Sequence, residues 1–231
     1  MNRFTEALIL ATAYAMAAHA DDSHLRTFPS AEAAAEALFV AVQSQDEQGL
    51  SQILGGDPEL VSSGEKSKDD VDRKTFLAKY SEMHRLAREP DATILYIGAE
   101  NWPFPVPIVS TNGTWSFDVE TGKREVLFRR IGANESFAID VCRALARSER
   151  EDPAAFVGSK VPFHGYYFRA LRAARGKPAS FVAYPAEYRS SGVMTFIVGG
   201  DGVVYERDLG PDSAKAASAL KRPDSSWQAV N

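Results

Sequence analysis

Apolar residues fall into a helical rhythm at Ala34, Ala37, Leu38, Ala41 and Val42, spaced i, i+3, i+4, i+7 and i+8. That spacing gathers them on one face of an α-helix. Ser30 stands where a side-chain oxygen can cap the first free N–H groups. Asp46 predicts the cap of a short second helix, EQGLSQIL, which stops at Gly55-Gly56. DPELVSSGEKSKDD is polar and reads as a loop carrying one turn. A third helix is expected to open at Asp69 and Asp70 and run to the EPD at Glu89–Asp91. Val71, Phe76, Leu77, Tyr80, Met83 and Leu86 mark much of its buried face.

The period then shortens. ATILYIG predicts a strand, NWPFPVPIVS an extended run, and TNGTWSFDV another strand. Asn112-Gly113 is a hairpin signal, because both residues tolerate positive φ. Three prolines in WPFPVP fix φ and remove donors, so this segment cannot sit in a central strand. Helices followed by a small curled antiparallel sheet suggest the NTF2-like cone, a fold analogy that says little about function.

ETGKREVLFRRIGANESFAIDVCRALARSERED predicts a long helix with Val126, Leu127, Ile131, Phe137, Ala138, Val141, Cys142 and Leu145 at its apolar positions. Gly132 is where it could kink. DPAAFVGSK is a linker by composition. Strands are expected near HGYYFRAL, ASFVAYP, VMTFIVG and VVYERDL, with Gly199–Gly202 turning between the last two. Met194, Phe196 and Val198 alternate with Thr195 and Ile197, which gives one apolar face. Gly210-Pro211-Asp212 ends the sheet and starts the helix SAKAASAL, and Trp227 is expected to tie down the tail. The pattern is α+β. Residues 28–119 make helices with a small curled sheet, and 120–231 make a long helix on a four-strand antiparallel meander. The long helix is expected to fuse the two parts into one body.

Composition narrows the function. The net charge of -5 argues against a nucleic-acid partner, which needs a basic face. The single cysteine, Cys142, can form no internal disulfide and belongs to no zinc pattern. Within AIDVCRAL it reads as a small buried hydrophobe. Asp69, Asp70 and Asp72 lack the EF-hand spacing and read as acids at a helix start. No cofactor or metal ligand is assigned.

At the amino terminus Arg3 precedes an apolar run from Ala7 to Ala18, and Ala18-His19-Ala20 is a small-x-small cleavage signature. Residues 1–20 therefore read as a secretory signal, although Glu6 is irregular there. The alternative is an amphipathic first helix. A cleaved signal implies a periplasmic or secreted mature chain. No later segment is apolar enough for an integral membrane span.

Candidate chemistry is sparse, and no catalytic residue is assigned. Trp102 and Phe104 could form a stacking ridge for a peptide or sugar, or plug a sheet-edge crossover. His164 in FHGYYF is the candidate histidine for proton transfer. Tyr166, Tyr167, Tyr184, Tyr188 and Tyr205 are expected to converge with it, because hairpin neighbours share faces. Ser63, Ser190 and Ser191 lack the G-x-S-x-G elbow of a nucleophile. Arg129-Arg130 are expected to pair with Glu125, Glu135 or Asp118. The binding set is then Trp102, Phe104, His164, Tyr166, Tyr184 and Tyr188.

Eight phrases carry a resemblance: FPSAEAAAEAL, LVSSGE, NWPFPVPIV, WSFD, RRIGANE, FHGYYFRAL, VAYPAEYRSSGVMTFIV and GVVYERDLGPD. In this order they resemble a bacterial family of exported proteins, domain of unknown function number 2950. The match runs from Phe28 to Trp227. It implies export and a shared fold, and no reaction. The chain looks shorter than the family at Arg150–Val161 and Arg172–Ser180, so it would lack part of any binding surface built there. A weaker resemblance covers NESFAIDVCRAL and the meander after it, which are similar to the globular half of type IV pilin-like proteins. The membrane-spanning pilin start is missing, so filament assembly does not follow. The expected function is a non-catalytic binding or structural module whose partner is an envelope protein or polymer. The rivals are an envelope-polymer hydrolase using His164, and a small-ligand carrier using a cavity in the N-terminal part.

Overall fold

A computed structural model of the chain describes residues 25–62, 66–147, 157–171 and 180–230. The signal-peptide reading of 1–20 lies outside them. So do Ser63, residues 150–156 of the first short bridge and 172–179 of the second. The described residues form an α+β chain with two antiparallel sheets. It divides into two units, Met1–Lys123 and Arg124–Asn231.

In the first unit, α1 (Ala31–Ser44) begins at Ser30, whose hydroxyl accepts from the Ala33 N–H at 3.1 Å. Its Ala34, Ala35, Leu38, Ala41 and Val42 are buried, as the apolar spacing requires. Asp46 caps α2 (Glu47–Ile53) by accepting from the Gly49 N–H at 2.8 Å. A single turn, α3 (Pro58–Val61), precedes α4 (Lys66–Glu82). The sheet holds β1 (His84–Arg88), β2 (Thr93–Ile97), β3 (Trp102–Pro103), β4 (Ile108–Thr111) and β5 (Thr114–Phe117). Its order is β1-β2-β4-β5, with β3 paired to β2. Asn112 and Gly113 both take positive φ and turn β4 into β5. Phe28 extends the far edge by exchanging backbone bonds with Trp115. Leu95, Ile97, Ile108 and Phe117 meet Leu38 and Ile53 in one buried core.

The expected third helix is corrected at both ends. It starts at Lys66 and stops at Glu82, and Met83 and Leu86 lie beyond it. Gly98 donates its N–H to both Lys79 O and Met83 O, at 3.0 and 2.9 Å, and this closes the helix end. His84 to Arg88 then pair residue by residue with Ile97 to Thr93. The helical period misleads because Tyr80 and His84, four apart, do stack at 3.9 Å while the backbone between them changes type. Cross-strand pairing overrides local preference here.

In the second unit the main element is α5 (Val119–Ala146), whose first turn lies before the unit boundary. It runs through Gly132 as one helix, so the glycine divides nothing. Asp118 accepts from the Thr121 N–H at 3.0 Å and the Thr121 hydroxyl at 2.8 Å and so caps the start. The sheet comprises β6 (Tyr166–Leu171), β7 (Ser180–Pro185), β8 (Met194–Val198), β9 (Val204–Asp208) and β10 (Gln228–Ala229). Its strands lie side by side in the order β10-β9-β8-β7-β6. The expected four-strand meander thus gains a fifth strand from the tail.

Both faces of this sheet are covered. Ala138, Val141, Cys142 and Leu145 of α5 pack on Tyr166, Phe168, Ala183, Phe196 and Val198. On the reverse face, Ala217 of α6 (Ser213–Ala219) and Trp227 cover Leu171, Val182 and Ile197. This is why β8 is buried from Thr195 to Val198, on both faces of the sheet.

Candidate functional site

The site grows from a turn of two residues. Phe163 and Tyr166 exchange backbone hydrogen bonds at 2.8 and 3.1 Å. Between them His164 (φ 47) and Gly165 (φ 73) both take the left-handed conformation. That is the geometry of a tight hairpin turn, in which histidine is one of the better-tolerated non-glycine residues. A Cβ at Gly165 would press within 2.6 Å of Asn134 Nδ2 and 2.9 Å of Ser191 Cβ. The glycine is therefore required for close approach as well as for φ. The exposed His164 ring lies 3.9 Å from Phe137 and 4.9 Å from Phe163, centroid to centroid.

Tyr166 enters the core directly behind the turn. Its side chain is fully buried, and its hydroxyl donates to Met194 O at 2.9 Å. Burial, and then the neighbouring Glu135 carboxylate, hold its phenol well above the ordinary value. It stays neutral and is a donor. Gly192 completes the fit, because any Cβ there would run into the Tyr166 hydroxyl and ring.

Two adjacent residues of α5 hold the loop from Ala186 to Val193. Glu135 Oε1 accepts from the N–H groups of Val193 and Met194, at 2.8 and 2.9 Å. Asn134 Nδ2 donates to Ser191 O at 2.9 Å. The loop also ties itself. Ser191 Oγ donates to Glu187 O and accepts from the Glu187 N–H, while Arg189 N donates to Gly192 O. Ala186 N reaches Gly165 O at 2.9 Å and joins the loop to the turn. Tyr188 donates to Asp208 Oδ2 at 3.0 Å. The outcome is a braced loop beside the His164 turn, with Ala186, Glu187 and Arg189 on its exposed side.

The expected convergence of tyrosines is corrected by strand alternation. Tyr166 points to the α5 face, whereas Tyr184 and Tyr205 join the reverse-face cluster. Tyr167 stands beside Tyr184, 5.7 Å between rings. Of the tyrosines, Tyr166 and Tyr188 belong to the braced loop and its turn. Trp102 and Phe104 lie in the first unit and part company there. Trp102 is 39% exposed on the short β3, while Phe104 turns inward between Phe76 and Phe117. A ridge with both rings outward is not what forms.

Other candidates settle into structural work. Ser191 is held by the loop, Arg129 pairs with Glu125 at 2.7 Å, and Glu135 binds backbone. Lys66 pairs with Asp70, Lys68 with Asp72, and Ser62 donates to Asp69. Burial pushes the Cys142 thiol up to about 12, so it carries no thiolate near neutrality. Among the described residues no group of three His, Cys, Asp or Glu is placed to hold a metal ion, and no helix is long and apolar enough to cross a membrane.

Sequence reasoning gave Asn134, Glu135 and Gly192 no place in the site, and Glu135 was expected to pair with Arg129-Arg130. The signal for Glu135 was present: it sits at helical spacing from Ile131, Ala138 and Cys142, a charge on the apolar stripe. A carboxylate at such a position needs donors, and the N–H groups of Val193 and Met194, where β8 begins, supply them.

No curated protein and no solved structure matches this chain. The NTF2-like and pilin-like likenesses therefore have no matching solved relative behind them. A family model described as "Protein of unknown function (DUF2950)" matches residues 25–155 and 146–230. The phrases RRIGANE, FHGYYF and YRSSGVM, far apart in the chain, meet at the braced loop. The chain belongs to the DUF2950 family.

Proposed function

We propose that the chain is an exported, non-catalytic binding module of the bacterial envelope. Its recognition surface is the loop 186–193 with the His164–Gly165 turn, and its partner is an envelope protein or polymer. The observation that carries this reading is where the polar groups go. Glu135, Asn134 and the Tyr166 hydroxyl all bind backbone of the loop or its first strand residue. They fix an exposed shape. A loop fixed in advance loses less entropy on binding, which is how such bracing favours recognition. A hydrolytic role would pair His164 with a tyrosine or carboxylate, whereas its ring packs on Phe137 and Phe163. Export is supported by the apolar run and cleavage signature before Asp21.

The test uses protein beginning at Asp21, immobilised and exposed to an envelope fraction. A His164→Asn/Arg189→Gly variant alters the surface while tolerating positive φ at both positions. A Trp102→Ala variant is run beside it. Capture lost by the double variant and kept by Trp102→Ala supports the loop. Equal capture by all three, with circular dichroism unchanged, removes it. Amino-terminal sequencing of the periplasmic fraction tests export separately: Asp21 is the expected first residue, and an intact Met1 in the cytosol overturns that part.

A further inference from the structure

One face of α5 carries a large apolar side chain into solvent. Phe128 is 63% exposed. It sits in a row at four-residue spacing, Arg124, Phe128, Gly132, Ser136 and Asp140, and every member is exposed. Phe128 has Arg124 on one side, and Asp140 ends the row on the other. Gly132 at the centre has open space where a Cβ would stand.

We propose that a second copy of this chain docks on this face, α5 against α5, antiparallel about a two-fold axis beside Gly132. The row is self-complementary under that operation. With Gly132 opposite Gly132, Phe128 of one copy lies over Ser136 of the other, and Arg124 lies over Asp140. A two-fold contact repeats each pairing, so both phenyl rings leave water and both ends match in charge. Rows at four-residue spacing incline about 26° to the helix axis, so two such rows align when the helices cross at about 50°, the commonest packing class. Glycine at the crossing allows the backbones to approach closely. Arg124 and Asp140 already have contacts in their own chain, with Arg143 at 3.8 Å from Asp140. The cross-pairs therefore add a counter-charge and do not create the only one. One helix crossing covers less than the ~1,200 Å² of a standard interface, so the dimer is concentration-dependent.

Sedimentation of the chain over a broad concentration series is the first measurement. The expected result is a reversible monomer–dimer equilibrium that Phe128→Lys and Arg124→Glu each shift at least tenfold toward monomer. The charge swap Arg124→Glu/Asp140→Arg should restore the dimer. Gly132→Cys should form an intermolecular disulfide under mild oxidation faster than Val71→Cys, an exposed control on α4. A chain that stays monomeric throughout and cross-links no faster at Gly132 than at Val71 overturns the proposal. A dimer untouched by Phe128→Lys and Arg124→Glu overturns it equally.

Discussion

Removing one oxygen from Tyr166 isolates what the brace contributes. Tyr166→Phe keeps the ring in its cavity but leaves Met194 O without its side-chain donor. The expected loss is about 1–2 kcal/mol of unfolding free energy, measured by urea titration. Gly192→Ala should cost more, about 1–3 kcal/mol, because its methyl must displace the Tyr166 ring from a filled space. A Gly192→Ala protein as stable as the parent would mean that loop and ring are less tightly fitted than they stand. The Cys142 thiol, wholly buried, should resist alkylation at neutral pH until the chain is unfolded by denaturant. Rapid labelling of the native protein would show that the α5 face of the sheet opens readily.

At the scale of elements, α1 was legible because its cap and its stripe agree, and α5 because its apolar positions persist across the glycine. β1 was not legible. Its five residues have no alternating pattern, and their strand conformation comes from partners in β2 that a local window cannot see. The candidate site was legible only in pieces. His164, Tyr166 and Tyr188 stood out by residue type, but strand alternation separates Tyr184 from them. Glu135 showed as a charge on the apolar stripe of α5, but its backbone partners lie 58 and 59 residues away, beyond any local window. Trp227 tests the element it secures. Trp227→Ala should cost about 3–5 kcal/mol in the second unit. Hydrogen exchange should then quicken in β9 and β10, with the β4–β5 hairpin of the first unit unchanged. Equal loosening of both sheets would refute separate cores.

For the whole molecule, buried acids such as Cys142 and Tyr166 give stability a direction with pH. The Cys142 thiol has an ordinary value of 9.0 and is pushed up to about 12. The Tyr166 phenol is also raised, from 10.0. In both cases the folded chain keeps a proton that the unfolded chain gives up. The stabilisation is complete below the unfolded value and is lost as pH rises above it. Each group steepens the fall by up to about 1.4 kcal/mol per pH unit. Unfolding free energy should therefore decline from about pH 9 upward, less steeply in Cys142→Ala or Tyr166→Phe, and a flat profile to pH 11 would contradict this. The reverse face of the second sheet carries a different consequence. Strands β6 to β9 are complete by Asp208, but Trp227, which covers Val182 and Ile197, comes nineteen residues later in the chain. During synthesis the sheet is therefore made before its lid. A ribosome that stops between the two releases a chain with a bare oily surface, which cellular proteases and chaperones read as damage. The segment around Trp227 thus finishes the burial that the strands begin.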